Sequence, residues 1–573
     1  MNLNDEKLLE VKDLEISFFQ GKGTQAFEAV KSLNFNIKKS YCLGLVGESG
    51  SGKSVSSLSI IGLLDAKNSQ IKASSFSIQL NGESIDLSSL QEKAWANLRG
   101  RHIAMVFQEP MSSLNPVMSC GKQITEALKH HFNLDSKSAK TKTLELFQEV
   151  QLPDPERAFN SYPYELSGGQ KQRVMIAMAL SCDPELLIAD ESTTALDVTV
   201  QKSVLKLLKN LMLKRKMGMI FITHDLAVVS EIATEIAVMR KGELVEYGEI
   251  KAVLANPKHP YTQGLLACRP DINKRRRRLP TVQDFENTKN PDELLNHEKY
   301  ALVKPEELQA RELNLSNAEN ILEVQDLSIE FNSSGKVVRA VDKVSFQLRR
   351  GETLGLVGES GCGKSTLSRA LLGLIPLHSG KILFEDKEIS GLNRHDFLPF
   401  RKKMQLIFQD PMSSLNPGMD VRSIITEPMT VHGIGDSAKD RNERAAQLLK
   451  DVGMDESSLN RYPHEFSGGQ RQRIVIARAL AVEPEFIICD ESVAALDVSI
   501  QAQVLNLLFD LKEKFNLSYI FITHDFAVVN HVSDRIMVMN QGRIEEIGWN
   551  EQLVHHPQSD YSKKLISSIP RIM

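Results

Sequence analysis

Cysteine is scarce and scattered in this 573-residue chain. Cys42, Cys120, Cys182, Cys268, Cys362 and Cys489 stand far apart, with no Cys-x-x-Cys pair and no Cys/His cluster at zinc spacing. That excludes a disulfide framework and a structural zinc site, and it fits a reducing compartment. Long apolar runs are missing as well. The longest uncharged stretches, such as 110–121, are loop-like, and none approaches the about 18 consecutive apolar residues of a spanning helix, so no segment is expected to cross a membrane. The first residues, Met-Asn-Leu-Asn-Asp-Glu-Lys, carry charge early and lack an apolar core, so no secretory signal is expected. Neither sign of charge dominates. With 69 Lys+Arg against 73 Asp+Glu the net charge is −4, which gives no global electrostatic reason to bind nucleic acid or an anionic membrane.

What is present is an ordinary globular composition, 42% hydrophobic and 25% charged, in a chain too long for one core. It is written twice. Leu-Leu-Glu-Val at 8–11 returns as Ile-Leu-Glu-Val at 321–324, Phe107-Gln-Glu-Pro-Met-Ser-Ser-Leu-Asn-Pro returns at Phe408, and Phe221-Ile-Thr-His-Asp returns at Phe521. Lys364 follows Lys53 by 311 residues, Gln409 follows Gln108 by 301, and Ser467, Glu491 and His524 each follow their counterparts by 300. The second half of each copy is therefore in fixed register. About ten extra residues fall around 63–100 of the first copy, where Ser/Asn/Gln-rich sequence reads as a surface loop. The expected divisions are 1–248, a short appendage with a flexible connector over 249–320, 321–550, and a short tail over 551–573. The run Lys274-Arg-Arg-Arg-Arg278 reads as solvated, with contact to anionic lipid or an acidic partner loop as the alternative.

Short apolar runs bounded by glycine alternate with helical patterns in each copy, which predicts α/β domains with a mostly parallel sheet covered on both faces. Gly47-Glu48-Ser49-Gly50-Ser51-Gly52-Lys53-Ser54 and Gly358-Glu359-Ser360-Gly361-Cys362-Gly363-Lys364-Ser365 both match GxxxxGK[ST] between a strand and a helix. One such match arises by chance in about a few per cent of chains this long; two in duplicated contexts do not. Backbone N–H groups and the helix N-terminus would cradle phosphates, Lys53 and Lys364 would reach the β/γ-phosphates, and Ser54 and Ser365 would ligate Mg²⁺. Asp190-Glu191 and Asp490-Glu491 close two further buried runs. Asp190 and Asp490 suit the Mg²⁺ shell, and Glu191 and Glu491 suit activation of a water. A thiol at Cys362, beside a lysine and a helix start, is expected to be reactive.

Ser167-Gly168-Gly169-Gln170 and Ser467-Gly468-Gly469-Gln470 resemble the signature of the ATP-binding-cassette (ABC) ATPases. The resemblance covers nearly the whole chain except the connector. It implies two fused P-loop domains, each with a helical signature subdomain and an antiparallel β subdomain, and ATP hydrolysis with Mg²⁺. It assigns Gln108 and Gln409 to the Q-loop near Mg²⁺ and the attacking water, Asp197 and Asp497 to the D-loop, and His224 and His524 to the γ-phosphate. It further implies composite sites, in which the signature of one domain completes the nucleotide site of the other. Adenine is expected on Phe19 and Phe331, with Phe18 and Phe27 as competitors. Val55 stands where the family often has a hydroxyl, and Thr366 keeps one.

The Phe107 and Phe408 stretches, together with His259-Pro-Tyr-Thr-Gln-Gly-Leu-Leu, resemble the oligopeptide/dipeptide/nickel importer group, whose fused members serve microcin C-type peptides or glutathione. This implies uptake of a peptide-like solute at the cytoplasmic face of a bacterial inner membrane. The expected partners are two integral-membrane permease subunits and an extracytoplasmic solute-binding protein. No nucleic-acid partner is expected, and with Cys268 alone in the region no iron–sulfur cluster is expected. A soluble twin-cassette factor acting on the ribosome is the alternative, disfavoured because the connector is broken by six prolines; a DNA-repair cassette is disfavoured by the lack of zinc cysteines.

Overall fold

The run Cys42-Leu-Gly-Leu-Val46 and its like are apolar throughout and only five or six residues long, which suits strands buried on both faces better than helices. The computed structural model describes residues 7–19, 26–108, 110–193, 196–288, 290–333, 336–494 and 496–569. They form two units, one ending at Leu266 and the other spanning Ala267–Ile569.

In the first unit the strands Glu235–Arg240, Cys42–Val46, Gly218–Thr223, Leu186–Asp190 and Ile103–Val106 lie side by side and parallel, with Glu243–Glu249 antiparallel at one edge. A separate antiparallel sheet runs Phe27–Lys38, Lys7–Phe18, Ser75–Leu80, Glu83–Asp86. Leu9, Val11, Phe76 and Ile78 of this sheet join one core with Leu43, Leu45, Ile188 and Ile220 of the parallel sheet. The helices Cys120–Phe132 and Ser136–Glu149 pack with Gly168–Leu180 as a helical lobe. The second unit repeats the plan, with Arg535–Asn540, Thr353–Val357, Ser518–Ile522, Phe486–Asp490 and Met404–Ile407 parallel. The extra residues of the first unit are not all loop: Ser69–Lys72 is a strand paired with Lys7–Phe18.

The stretch expected to be a flexible connector is folded onto the second unit. Short helices Val282–Asn287, Pro291–Asn296 and Pro305–Ser316 occupy it, the first opened by a Thr281–Asp284 capping box. The four arginines of the basic run are used internally. Arg275 donates to the carbonyl of Ser533 at 2.9 Å and Arg276 to that of Tyr300 at 2.7 Å. Arg277 bonds Glu307 at 2.7 Å, and Arg278 pairs with Asp510. Leu279 exchanges two backbone bonds with the side chain of Asn506.

Farther along, Arg311 reaches Asp534, whose carboxylate also takes Lys512 at 3.2 Å and the Thr353 N–H at 2.8 Å. Burial opposes the ionisation of Asp534, but Lys512, Arg311 and the Thr353 amide outweigh it and hold its carboxyl well below the usual range. A depressed folded-state pKa adds stability above the unfolded value of about 3.9 that disappears as pH falls through and below it. Asp534→Asn is therefore expected to destabilise the second unit by about 3–5 kcal/mol at pH 7. Chemical unfolding across pH checks this, and the difference from the parent should shrink below about pH 4.

Candidate functional site

Four neighbouring parallel strands end at one edge of each sheet, and each delivers part of a site there, as expected at the carboxyl ends of an open α/β sheet. Cys42–Val46 runs into the glycine loop, Ile103–Val106 leads to Gln108, Leu186–Asp190 ends on the acidic pair, and Gly218–Thr223 leads to His224. The second unit delivers the loop at 358–363, Gln409, Asp490-Glu491 and His524 in the same order.

The loop needs glycine where it closes. Gly52 has φ +102° and Gly363 φ +108°, and a Cβ there would lie 2.8 Å from the carbonyl oxygen of Ala29 and 2.4 Å from that of Ala340. The helices Lys53–Ile60 and Lys364–Leu371 then start without a side-chain cap, leaving their first N–H groups for an anion. The Lys53 ammonium is buried and donates to Gly47 O at 2.6 Å and Glu48 O at 2.8 Å; Lys364 does the same to Gly358 O and Glu359 O at 2.7 and 3.0 Å. Cys362 is buried with its sulfur 3.8 Å from Lys364 Nζ, so packing blocks the reagent access that its expected reactivity requires.

Behind the loop, Glu191 and Glu491 adopt left-handed φ values of +43° and +47°, a conformation costly for a residue with a Cβ. Their N–H groups bond the carbonyls of Ile222 and Ile522 at 3.0 and 2.9 Å, closing a sharp turn. The turn swings the carboxylates back over the strand ends. Gln108 Nε2 donates to Glu191 at 2.7 Å, and His224 Nδ1 lies 3.3 Å from it; the second unit shows 2.8 Å from Gln409 and 3.6 Å from His524.

The two adjacent acids are pushed apart in acidity. Burial, then the charge of Glu191, pushes Asp190 up to about 6 despite a hydrogen bond from Ser54. Burial also resists the ionisation of Glu191, but the bond and charge of His224, with Lys53, hold it below its ordinary value. Asp190 Oδ1 is buried without a hydrogen-bond partner. An orphaned, desolvated carboxylate oxygen beside a serine hydroxyl is the donor set a hard divalent cation takes, so Mg²⁺ fits Ser54, Asp190 and Gln108. Asp490 is likewise raised by burial, yet accepts from Ser365 at 3.3 Å and Ser368 at 3.5 Å.

The other expected residues divide. Ser167 and Gln170, like Ser467 and Gln470, form reciprocal capping boxes at the start of Gly168–Leu180 and Gly468–Leu480. A Cβ on Gly169 or Gly469 would meet Val200 at 2.7 Å or Ile500 at 2.4 Å, so those glycines serve packing, while Gly168 and Gly468 leave room for a ligand. Asp197 and Asp497 stand at the N-cap positions of the helices Val198–Arg215 and Val498–Phe515, with no capping bond from either side chain.

The aromatic pair is mismatched. Ile16 pairs with Val30 as Ile329 pairs with Val341, so Phe18, facing Phe27, is the counterpart of Phe331, facing Val338. Phe19 lies one residue beyond that register, 41% exposed, with Phe331 at 42%. Two residues were missed: the phenol oxygens of Tyr261 and Tyr561 accept the N–H groups of Glu48 and Glu359. Their own offset of 300 was the available signal.

Comparison with known proteins gives two family matches. The ABC transporter family matches residues 30–194 and 341–494, and the oligopeptide/dipeptide transporter C-terminal region matches 245–294. The glutathione import ATP-binding protein GsiA of Pectobacterium atrosepticum is 44% identical over 576 residues, covering 99% of this chain and 90% of its own. Its namesake in Escherichia coli K12 is 43% identical over 581 residues with the same coverage. A dimeric ATP-binding cassette solved in a post-hydrolysis state with ADP and Pi is 26% identical, covers 40% of this chain and 98% of its own, and has a TM-score of 0.38.

The lone oxygen of Asp190 generates a prediction. Asp190→Asn removes a buried charge whose folded-state pKa is raised, so the nucleotide-free variant should be at least as stable as the parent at pH 8, and should lose that advantage as pH falls from about 6 to about 4. Thermal unfolding at the two pH values measures it.

Proposed function

The chain belongs to the ABC transporter family, and on that premise we propose that it is the ATP-hydrolysing subunit of an importer for peptide-like solutes, glutathione among them. The relatives named glutathione import ATP-binding protein, matched end to end, and the oligopeptide/dipeptide C-terminal region favour transport over a role on the ribosome. The observation that carries the reading is the duplicated cluster of lysine, serine, two carboxylates, glutamine and histidine at the strand ends.

In this reading each glycine loop holds the β- and γ-phosphates, with Lys53 or Lys364 moving from loop carbonyls to phosphate oxygens. Ser54, Asp190 and Gln108, or Ser365, Asp490 and Gln409, would hold Mg²⁺, which would supply charge neutralisation on the phosphates. Glu191 and Glu491, ionised and held by glutamine and histidine, orient the attacking water and take its proton. His224 and His524, beside Glu191 and Glu491, are assigned to the terminal phosphate. Phe331 and its register partner Phe18 are the aromatic surfaces for adenine. Ser167, Gly168, Ser467 and Gly468 supply the hydroxyl and N–H groups that we assign to completing the opposite nucleotide site.

No helix among the described residues is long and apolar enough to cross a membrane. A solute path must then come from other chains, and we assign it to two permease subunits, with a solute-binding protein outside and this chain at the cytoplasmic face. Both clusters keep every reacting group, so both should turn over. Separate Glu191→Gln and Glu491→Gln variants, assayed for ATP hydrolysis in the assembled transporter, are each expected to slow their own site about 10²–10⁴-fold and remove at least half of the total rate. A rate unchanged by either one shows a single working site.

A further inference from the structure

We infer that Tyr261 and Tyr561 are positioning residues for the glycine loops, fastening the leading edge of each loop to the segment that follows its cassette. The inference rests on reading those loops as nucleotide sites. Tyr261 is fully buried, and its phenol oxygen accepts the Glu48 N–H at 3.0 Å. Tyr561 repeats the bond to the Glu359 N–H at 3.2 Å.

The approach to each tyrosine is fixed in the same way by different residues. Glu246 accepts the N–H groups of Lys258 and His259 at 2.8 and 3.2 Å, and Glu546 accepts those of Gln558 and Ser559 at 2.9 and 3.1 Å. His259 Nδ1 then accepts the Tyr261 N–H at 3.1 Å, where Ser559 Oγ instead accepts the Ser562 N–H at 3.0 Å. The intervening sequences, Lys-His-Pro-Tyr and Gln-Ser-Asp-Tyr, share only the tyrosine. Packing alone asks for an aromatic ring; it does not ask both hydroxyls to meet the same loop amide.

The position of that amide explains what the bond does. The carbonyl of Glu48 accepts from Lys53 Nζ at 2.8 Å and from the Ser51 N–H at 3.1 Å, while its N–H points the other way, to the phenol. A phosphate in the loop draws the ammonium off the carbonyl. The tyrosine is then the anchor that keeps the Glu48 amide turned outward, so that the following loop amides converge on the phosphate. The first cassette is held more firmly, since the Arg240 guanidinium lies 5.2 Å over the Tyr261 ring where the second has Asn540.

The test uses the full chain, reading one loop with the other disabled: Tyr261→Phe in Lys364→Ala, and Tyr561→Phe in Lys53→Ala. Calorimetric titration with Mg·ATP should show affinity falling about 5- to 10-fold for Tyr261→Phe and less for Tyr561→Phe. KM for ATP should rise while kcat stays within about twofold, and the nucleotide-free melting temperature should stay within about 2 °C. In addition, 3-fluorotyrosine at 261 should change its ¹⁹F resonance when Mg·ATP binds. Unchanged affinity in Tyr261→Phe overturns the inference, as does a silent ¹⁹F resonance in protein that binds Mg·ATP. Failure of the Lys364→Ala parent to bind Mg·ATP overturns instead the nucleotide reading of the first loop.

Discussion

Burying a parallel sheet on both faces is the constraint from which the site follows. Strands such as Leu186–Asp190 and Gly218–Thr223 have no solvent face on which to carry polar chemistry. Polar groups can appear only where the strands end, and parallel order puts four of those ends at one edge. The glycine loop, the glutamine, the acidic pair and the histidine come from segments up to about 180 residues apart in the chain, yet each is one or two residues past a strand whose position the sheet fixes. The left-handed turn at Glu191 and Glu491 belongs to the same logic, since the strand axis alone would carry that carboxylate away from His224 and His524.

Placing two carboxylates at one buried strand end gives them different work. Asp190 loses solvation and sits beside another acid, which makes it an eager partner for a cation. Burial resists the ionisation of Glu191 too, but His224 and Lys53 hold its acidity below the ordinary value, and Gln108 donates to its carboxylate. One strand end thus supplies neighbouring residues suited, in the proposed reading, to a cation ligand and a base. The second cassette shows the same division, softened by the two serine hydroxyls on Asp490.

Much of this was legible in the sequence because glycine loops, acidic strand ends and the histidine are local patterns, and their duplication in the same order, 311 residues apart at the loops and 300 at the acids and histidines, separated them from coincidence. What was not legible has physical reasons. The 267–319 stretch carries no apolar periodicity because its buried residues, Ile272, Leu279, Val282, Phe285 and Leu315, are scattered over short helices and turns and share the anchoring with arginines, as Arg275 with Ser533 and Arg311 with Asp534. Counting back from the lysine paired Phe19 with Phe331 instead of Phe18, because the chain from Phe18 to its partner Phe27 is two residues longer than that from Phe331 to Val338, a difference that a residue count does not see. The Tyr261 bond was hidden for another reason: a phenol and an amide more than 200 residues apart leave no joint pattern, and only the recurrence at Tyr561 marks them.

Each glycine loop is expected to hold a nucleotide of its own. Calorimetric titration of the full chain carrying both Glu191→Gln and Glu491→Gln with Mg·ATP measures this most directly, because binding is read without turnover. Two equivalents are expected, with one lost on adding Lys53→Ala and the other on adding Lys364→Ala. A single equivalent in the starting variant, or two that survive either lysine substitution, would contradict it.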